Sequence, residues 1–200
     1  MTKIAGVVLA GGQSSRYGKP KMFENFNGQL LYQYSLQALK KNELKPLIIS
    51  TNASLSTKFK DKDVRLSIEK TVHQGPLFAI HHLISNTPDA DWFFVLACDM
   101  PFITSSFVNK VLSVVDDTYD AIVPMQSDKI QPLAALYHRS VLQKTEKLLQ
   151  QNKRSMQSLL DQLNVCYVSI PDDEQVFINI NAITDWPNYS IQHKKGDYHD

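Results

Sequence analysis

The apolar run around Ile4, Val7, Val8 and Leu9 breaks abruptly at Gly11-Gly12 into a polar, basic stretch containing Ser14, Ser15, Arg16, Gly18, Lys19 and Lys21. Four of the chain's seven glycines fall between Gly6 and Gly18. A strand that opens into such a loop is constrained twice: the strand belongs inside a sheet, and the loop must leave the sheet edge with its backbone exposed. Glycine allows φ > 0 and close approach of a ligand to the backbone. Successive N–H groups then form an anion-binding concavity, to which Arg16 adds a planar fork and Lys21 a point charge. This is phosphate-holding chemistry, and it points to a nucleotide-handling enzyme rather than a passive module.

Beyond this loop, apolar runs alternate with helical patterns. Strands are expected over residues 3–10, 46–51, 64–69, 91–98, 119–124 and 165–170, with residues 131–137 extended. Helices are expected over 30–41, where Leu31, Tyr34, Leu36 and Leu39 share a face, over 76–85, and from a cap at Ser105 or Ser106 to residue 115. Two more are expected over 138–151 and 155–162. The 91–98 segment, DWFFVLAC, is apolar on both faces, as the middle strand of a parallel sheet must be. The alternation predicts an α/β sandwich. At 200 residues the chain reads as one domain, and the polar tail over 193–200 is expected to be loose.

Composition excludes several classes. A net charge of +1 gives no overall field to attract nucleic acid. No apolar run is long enough to span a bilayer, and residues 1–3 lead straight into the first strand without a signal-peptide pattern. Cys98 and Cys166 are the only cysteines and lack metal-ligand spacing, so a reducing, cytoplasmic setting is expected. Cys98 reads as a buried filler, and Trp92, Phe93 and Phe94 as core. His81 and His82 are adjacent, hence on different helix faces, and do not form a paired metal site. Lys40-Lys41 reads as the solvated cationic end of a helix. His73 is a candidate for touching a second substrate, and Lys153-Arg154 for attracting an anionic cofactor.

Asp99 is the second site signal. It follows the 91–98 strand, and in open α/β sheets ligands bind outside the carboxyl ends of the strands. If that strand and the first are parallel, Asp99 and the glycine loop share one edge. A carboxylate beside bound phosphates requires a cation between them, and Mg²⁺ is the natural choice. The plainer reading makes Asp99 a cap for the next turn or helix, although Pro101 and Thr104 offer other turn signals there.

The ordered elements resemble those of the molybdenum cofactor guanylyltransferases, the MobA family of the glycosyltransferase-A-like nucleotidyltransferases. The LAGG-x-S-x-R-x-G-x-x-K pattern runs from Leu9 to Lys21, GPL stands at Gly75-Pro76-Leu77, D-x-P at Asp99-Met100-Pro101, and N-I-N at Asn179-Ile180-Asn181. The double glycine favours the guanylyl branch over relatives that read LAAG.

The resemblance implies a three-layer α/β/α sandwich with a mostly parallel central sheet, Rossmann-like and similar to nucleotide-diphospho-sugar transferases. Residues 1–125 would form the nucleotide-binding half and 126–192 the acceptor-side half. It also implies transfer of GMP from GTP to the terminal phosphate of molybdopterin, with Mg²⁺ as cofactor and pyrophosphate released. Leu9, Ala10, Gly11, Gly12, Ser14, Arg16, Lys21, Asn52, Glu69 and Asp99 would bind the nucleotide. Asp99 would hold the metal, Arg16, Lys21 and Asp99 would act in catalysis, and Gln131, Asn179 and Asn181 would meet the acceptor. Contact with molybdenum-insertion proteins or molybdoenzymes would be transient, and the chain is expected to be a monomer.

Three positions depart from the family pattern: Ala182-Ile183 follow Asn181 in place of Thr-Pro, Gln131 stands where His is frequent, and Phe78-Ala79-Ile80 follow GPL in place of Ala-Gly. All three fall on the acceptor side. The alternatives are a cytidylyl or other Mg-dependent nucleotidyltransferase on the same scaffold, or a non-catalytic molybdopterin or nucleotide carrier. A dinucleotide oxidoreductase would need G-x-G-x-x-G, and a Walker loop would need Gly-Lys-Ser/Thr where this chain has Gly18-Lys19-Pro20.

Overall fold

The computed structural model describes residues 2–12, 18–71 and 74–180. The first elements in chain order are β1 (Ile4–Leu9), a 3-10 turn (Lys21–Phe23), the short pair β2 (Asn25–Phe26) and β3 (Gln29–Leu30), and α1 (Leu31–Lys41). There follow β4 (Leu47–Asn52), α2 (Ala53–Ser56), β5 (Arg65–Glu69), α3 (Pro76–Ser85), β6 (Trp92–Ala97) and α4 (Ser105–Leu112). The chain continues through β7 (Ala121–Gln126), β8 (Lys129–Ile130), β9 (Ala134–His138), α5 (Leu142–Gln150), α6 (Met156–Leu160) and β10 (Val165–Ser169).

The main sheet has the order β10-β7-β9-β6-β1-β4-β5, with β8 added beside β7. β1 pairs in parallel with both β4 and β6. β9 alone among the longer strands runs antiparallel, between β6 and β7. Chain order therefore reverses at β1: β4 and β5 extend the sheet to one side, and the chain then returns to place β6 on the other. That reversal is a topological switch point, and the crevice outside the carboxyl ends of β1 and β6 is where such sheets bind ligands. Leu9 stands opposite Ala97 there, so the glycine loop and Asp99 leave the sheet side by side.

Period-two alternation divides β6 between two cores. Trp92, Phe94 and Leu96 pack on one face with Leu36 and Leu39 of α1 and Phe107, Val108 and Val111 of α4. Phe93 and Val95 pack on the other with Leu77, Ile80 and Leu83 of α3, Leu148 of α5 and Leu159 of α6. Helices thus cover both faces, giving the expected three-layer α/β/α sandwich with a mostly parallel sheet. Gly6 has a packing reason of its own: a Cβ there would lie 2.9 Å from Leu47 Cδ2 and 3.1 Å from Leu39 Cβ. Among the described residues no helix is long and apolar enough to cross a membrane.

Several local expectations are corrected. The cap of α4 is Thr104, whose hydroxyl accepts from the Phe107 amide at 3.1 Å, rather than Ser105 or Ser106, and the helix ends at Leu112. His138 completes β9 instead of opening a helix; a 3-10 turn (Arg139–Val141) intervenes and α5 starts at Leu142. Trp92 and His138 stand opposite each other in the paired strands with ring centroids 5.0 Å apart, which holds His138 in the sheet. The β2–β3 hairpin, α2 and β8 are additions to the expected elements. Ser14, Arg16, His73, Asn181 and the 193–200 tail lie outside the described residues.

Candidate functional site

β1 delivers its end to the crevice through main-chain bonds. The Cys98 amide donates to the Leu9 carbonyl at 3.2 Å, and the Ala10 amide to the Ser50 carbonyl at 2.8 Å. β4 supports the next two peptides from below: Thr51 Oγ1 donates to the Ala10 carbonyl at 3.0 Å, and Asn52 Nδ2 to the Gly11 carbonyl at 3.4 Å. With these carbonyls occupied, the backbone from Leu9 to Gly11 is braced by its neighbouring strands. A Cβ on Gly11 would stand 3.5 Å from Glu69 Oε1 and from Thr51 Cα, whereas none of the described residues comes within 4 Å of the corresponding point on Gly12.

Asn52 and Glu69 are both buried at the carboxyl ends of their strands. Asn52 Oδ1 caps α2, accepting from the Ser54 and Leu55 amides at 3.1 and 3.2 Å. Its side chain thus braces both α2 and the loop. Glu69 Oε1 accepts from Ser50 Oγ at 3.2 Å, which brings a carboxylate to the floor beneath Gly11. The Thr51 hydroxyl has a scaffolding role that no local sequence pattern announces.

On the other side of the crevice, Lys21 Nζ donates to Asp99 Oδ2 at 2.6 Å and to the Ile180 carbonyl at 3.1 Å. The Ile180 amide donates in turn to the Asp99 carbonyl at 3.0 Å. Lys21 and Asp99 side chains are only 14% and 15% exposed, so their pairing is stronger than a surface ion pair. The 3-10 turn that carries Lys21 is anchored by Met22, which is buried, and by Phe23, whose ring meets Tyr32 and Phe59 at centroid distances of 6.0 and 4.8 Å. Tyr32 OH donates to Asp61 at 2.6 Å. Lys19 instead pairs with Glu24 at an exposed position.

Ile180 is the residue that sequence reasoning passed over. Its side chain is fully buried with Phe26 and Leu31, against Tyr34 and Phe102. This small cluster joins the β2–β3 hairpin to the turn after Asp99 and pins the 179–180 segment against both. Asn179 beside it is exposed. The Asn-Gly pair at the hairpin turn was a usable signal for half of this arrangement.

Other predicted residues lie along the same edge. Gly75 caps α3 with φ 86° and Pro76 follows at the first helical position, which gives the GPL element a structural cause. Gln131 precedes β9, its amide donating to the Pro124 carbonyl at 2.8 Å. Since the Ala97 amide donates to the Leu133 carbonyl at 2.8 Å, that segment sits at the carboxyl end of β6. Arg154 donates to the Gln74 carbonyl at 3.3 Å and also to its side chain. His81 and His82 diverge, to Thr145 and to Phe78 respectively. Burial pushes the Cys98 thiol up to about 12, the Asp99 charge adding to it against Lys21, so Cys98 is an inert filler.

The donor set fits a hard cation. Asp99 Oδ2 and the Ile180 carbonyl already converge on one cation, the Lys21 ammonium. Among the described residues no group of three or more His, Cys, Asp or Glu is placed to hold a metal. A metal here would draw most of its oxygens from phosphates and water, the habit of Mg²⁺.

The MobA-like NTP transferase domain family matches residues 6–166. A probable molybdenum cofactor guanylyltransferase from Geobacillus sp. is 38% identical over 188 residues, covering 91% of this chain and 95% of that protein. Molybdopterin-guanine dinucleotide biosynthesis protein A from Archaeoglobus fulgidus shares the fold with a TM-score of 0.74 at 23% identity, over 96% of this chain and 99% of that one. A 4-diphosphocytidyl-2C-methyl-D-erythritol synthase from Anaerococcus prevotii does so with a TM-score of 0.75 at 12% identity, over 97% and 99%.

Proposed function

Because the chain belongs to the MobA-like NTP transferase family, we propose that it transfers GMP from GTP to the terminal phosphate of molybdopterin. The products are molybdopterin guanine dinucleotide and pyrophosphate. The observation that carries this reading is the Lys21–Asp99 pair at the switch point, beside the Gly11-Gly12 backbone, in a chain whose relatives are named for guanylyl transfer.

An oxygen of the acceptor phosphate attacks the α-phosphorus of GTP, and the bond from that phosphorus to the β-bridging oxygen breaks. A phosphate monoester has a second pKa of about 6 and is mostly ionised at neutral pH. The reaction therefore needs no general base, which accords with site motifs that contain no catalytic His or Cys. The barrier is repulsion between two anions, and the residues are of the kind that offset it.

In this reading the backbone at Leu9, Ala10 and Gly11 approaches guanine and ribose, Asn52 and Glu69 help to bind the nucleotide, and Asn52 also braces the Gly11 carbonyl. Gly12, Ser14 and Arg16 are the residues that would bind the triphosphate. Lys21 binds phosphate, and Asp99 is the residue that would hold Mg²⁺. Bound Mg²⁺ would neutralise the phosphate oxygens and the departing pyrophosphate. Gln131, Asn179 and Asn181 are the residues that would bind the acceptor and align it for in-line attack. Mass spectrometry of the product tests the proposal: molybdopterin must gain GMP, and a CMP adduct formed from CTP in preference would move the chain to the cytidylyl branch.

A further inference from the structure

We propose that the Lys21 ammonium occupies the divalent-cation position between Asp99 Oδ2 and the Ile180 carbonyl, so that a metal binds there only as Lys21 withdraws to the nucleotide phosphates. The inference rests on the reading of Asp99 as the metal carboxylate and adds an exchange of cations to it. Lys21 is 2.6 Å from the carboxylate oxygen and 3.1 Å from the carbonyl, an oxygen pair that serves a hard cation as well as an ammonium. A divalent ion on Asp99 would repel an ammonium a few ångströms away, strongly so where both partners are largely withdrawn from water.

Lysine suits the exchange. Its charge sits on a flexible stem with rotatable donors, and the anchored turn beneath it keeps the stem's base fixed while its end moves. Ile180 remains in place throughout, because its amide is held by the Asp99 carbonyl and its side chain by Phe26 and Leu31. The consequence is order: Asp99 is neutralised by the protein itself until the nucleotide supplies other oxygens for Lys21. Free metal is then bound weakly, and metal and nucleotide bind together.

The test is Mn²⁺ binding, read from the electron paramagnetic resonance signal of free Mn²⁺, without nucleotide and then with GTP. Lys21→Met and Lys21→Gln are expected to bind Mn²⁺ about tenfold or more tightly than the unaltered protein without nucleotide, by removing the competing charge. Lys21→Arg, which keeps a cation, should show no gain. Adding GTP should raise the affinity of the unaltered protein and abolish the advantage of the neutral variants. No gain in either neutral variant, including no binding by any of the proteins, would overturn the inference while leaving Asp99 as the metal carboxylate untouched. A gain that persists when Asp99→Asn is added to Lys21→Met would place the metal elsewhere and overturn both.

Discussion

The backbone amide of Ile180 donates to the Asp99 carbonyl at 3.0 Å, joining the N-I-N segment to the turn that follows the central strand β6. The expected metal carboxylate and the expected acceptor segment are therefore one mechanical unit, stitched by main chain and covered by the Phe26–Leu31–Ile180 cluster. Ile180→Ala should lower stability by about 2 kcal/mol, the low end for truncating a buried isoleucine in a small cluster. It should raise the KM for molybdopterin more than that for GTP. Denaturant melts and steady-state kinetics with each substrate varied check both parts.

Asp99→Ala should reduce GMP transfer by at least about 100-fold, the scale on which loss of a key electrostatic group acts. The fold should persist, since Asp99 holds Ile180 through its backbone rather than its side chain. Pyrophosphate release and far-ultraviolet circular dichroism on the same sample separate lost chemistry from lost structure.

Asn52→Ala removes the cap of α2 and the support under Gly11. The cap alone is worth about 1 kcal/mol. The altered loop should raise the KM for GTP several-fold with little change in the KM for molybdopterin, as initial rates at fixed acceptor will show.

Gly6→Ala inserts a methyl group between β1 and the side chains of Leu39, Leu44 and Leu47. Overpacking of this kind costs about 1–3 kcal/mol. The melting temperature should fall while kcat, measured well below the transition, stays unchanged.

Acid sensitivity should trace in part to Asp120, remote from the crevice. Partial burial raises its carboxyl, but hydrogen bonds from Lys144, Ser140 and the Asn164 amide, with the Lys144 charge, outweigh that and bring it down to about 2 from the ordinary 3.8. The folded state then holds the proton less tightly than the unfolded chain. Its stabilisation is full above the ordinary value and drains as pH falls toward about 2. Asp120→Asn should lower stability at neutral pH and flatten the loss between pH 4 and 2, as measured by urea unfolding across that range.

What the sequence made legible was local in cause. The β1 loop, the buried β6 and the Gly75-Pro76 entry to α3 each follow from side-chain period or from a φ that one residue type tolerates. Thr104, Ser105 and Ser106 offered three hydroxyls in a row, and only the packed helix chooses among them. The hairpin turn carries Asn27 and Gly28 at φ 49° and 87°, yet its strands of two residues are too short for alternation to register. β9 was readable as extended, but its place between β6 and β7 is a tertiary choice. The meeting of Lys21 with Ile180 is the same kind of fact: it depends on contacts across almost the whole chain, which no window along the sequence contains.

The most direct measurement is pyrophosphate release with Mg²⁺ and each of GTP, CTP, ATP and UTP, with and without molybdopterin. Guanylyl transfer requires release with GTP only when molybdopterin is present, and little with the other three. Release with CTP in place of GTP, or none with any nucleotide although GTP binds, would contradict it.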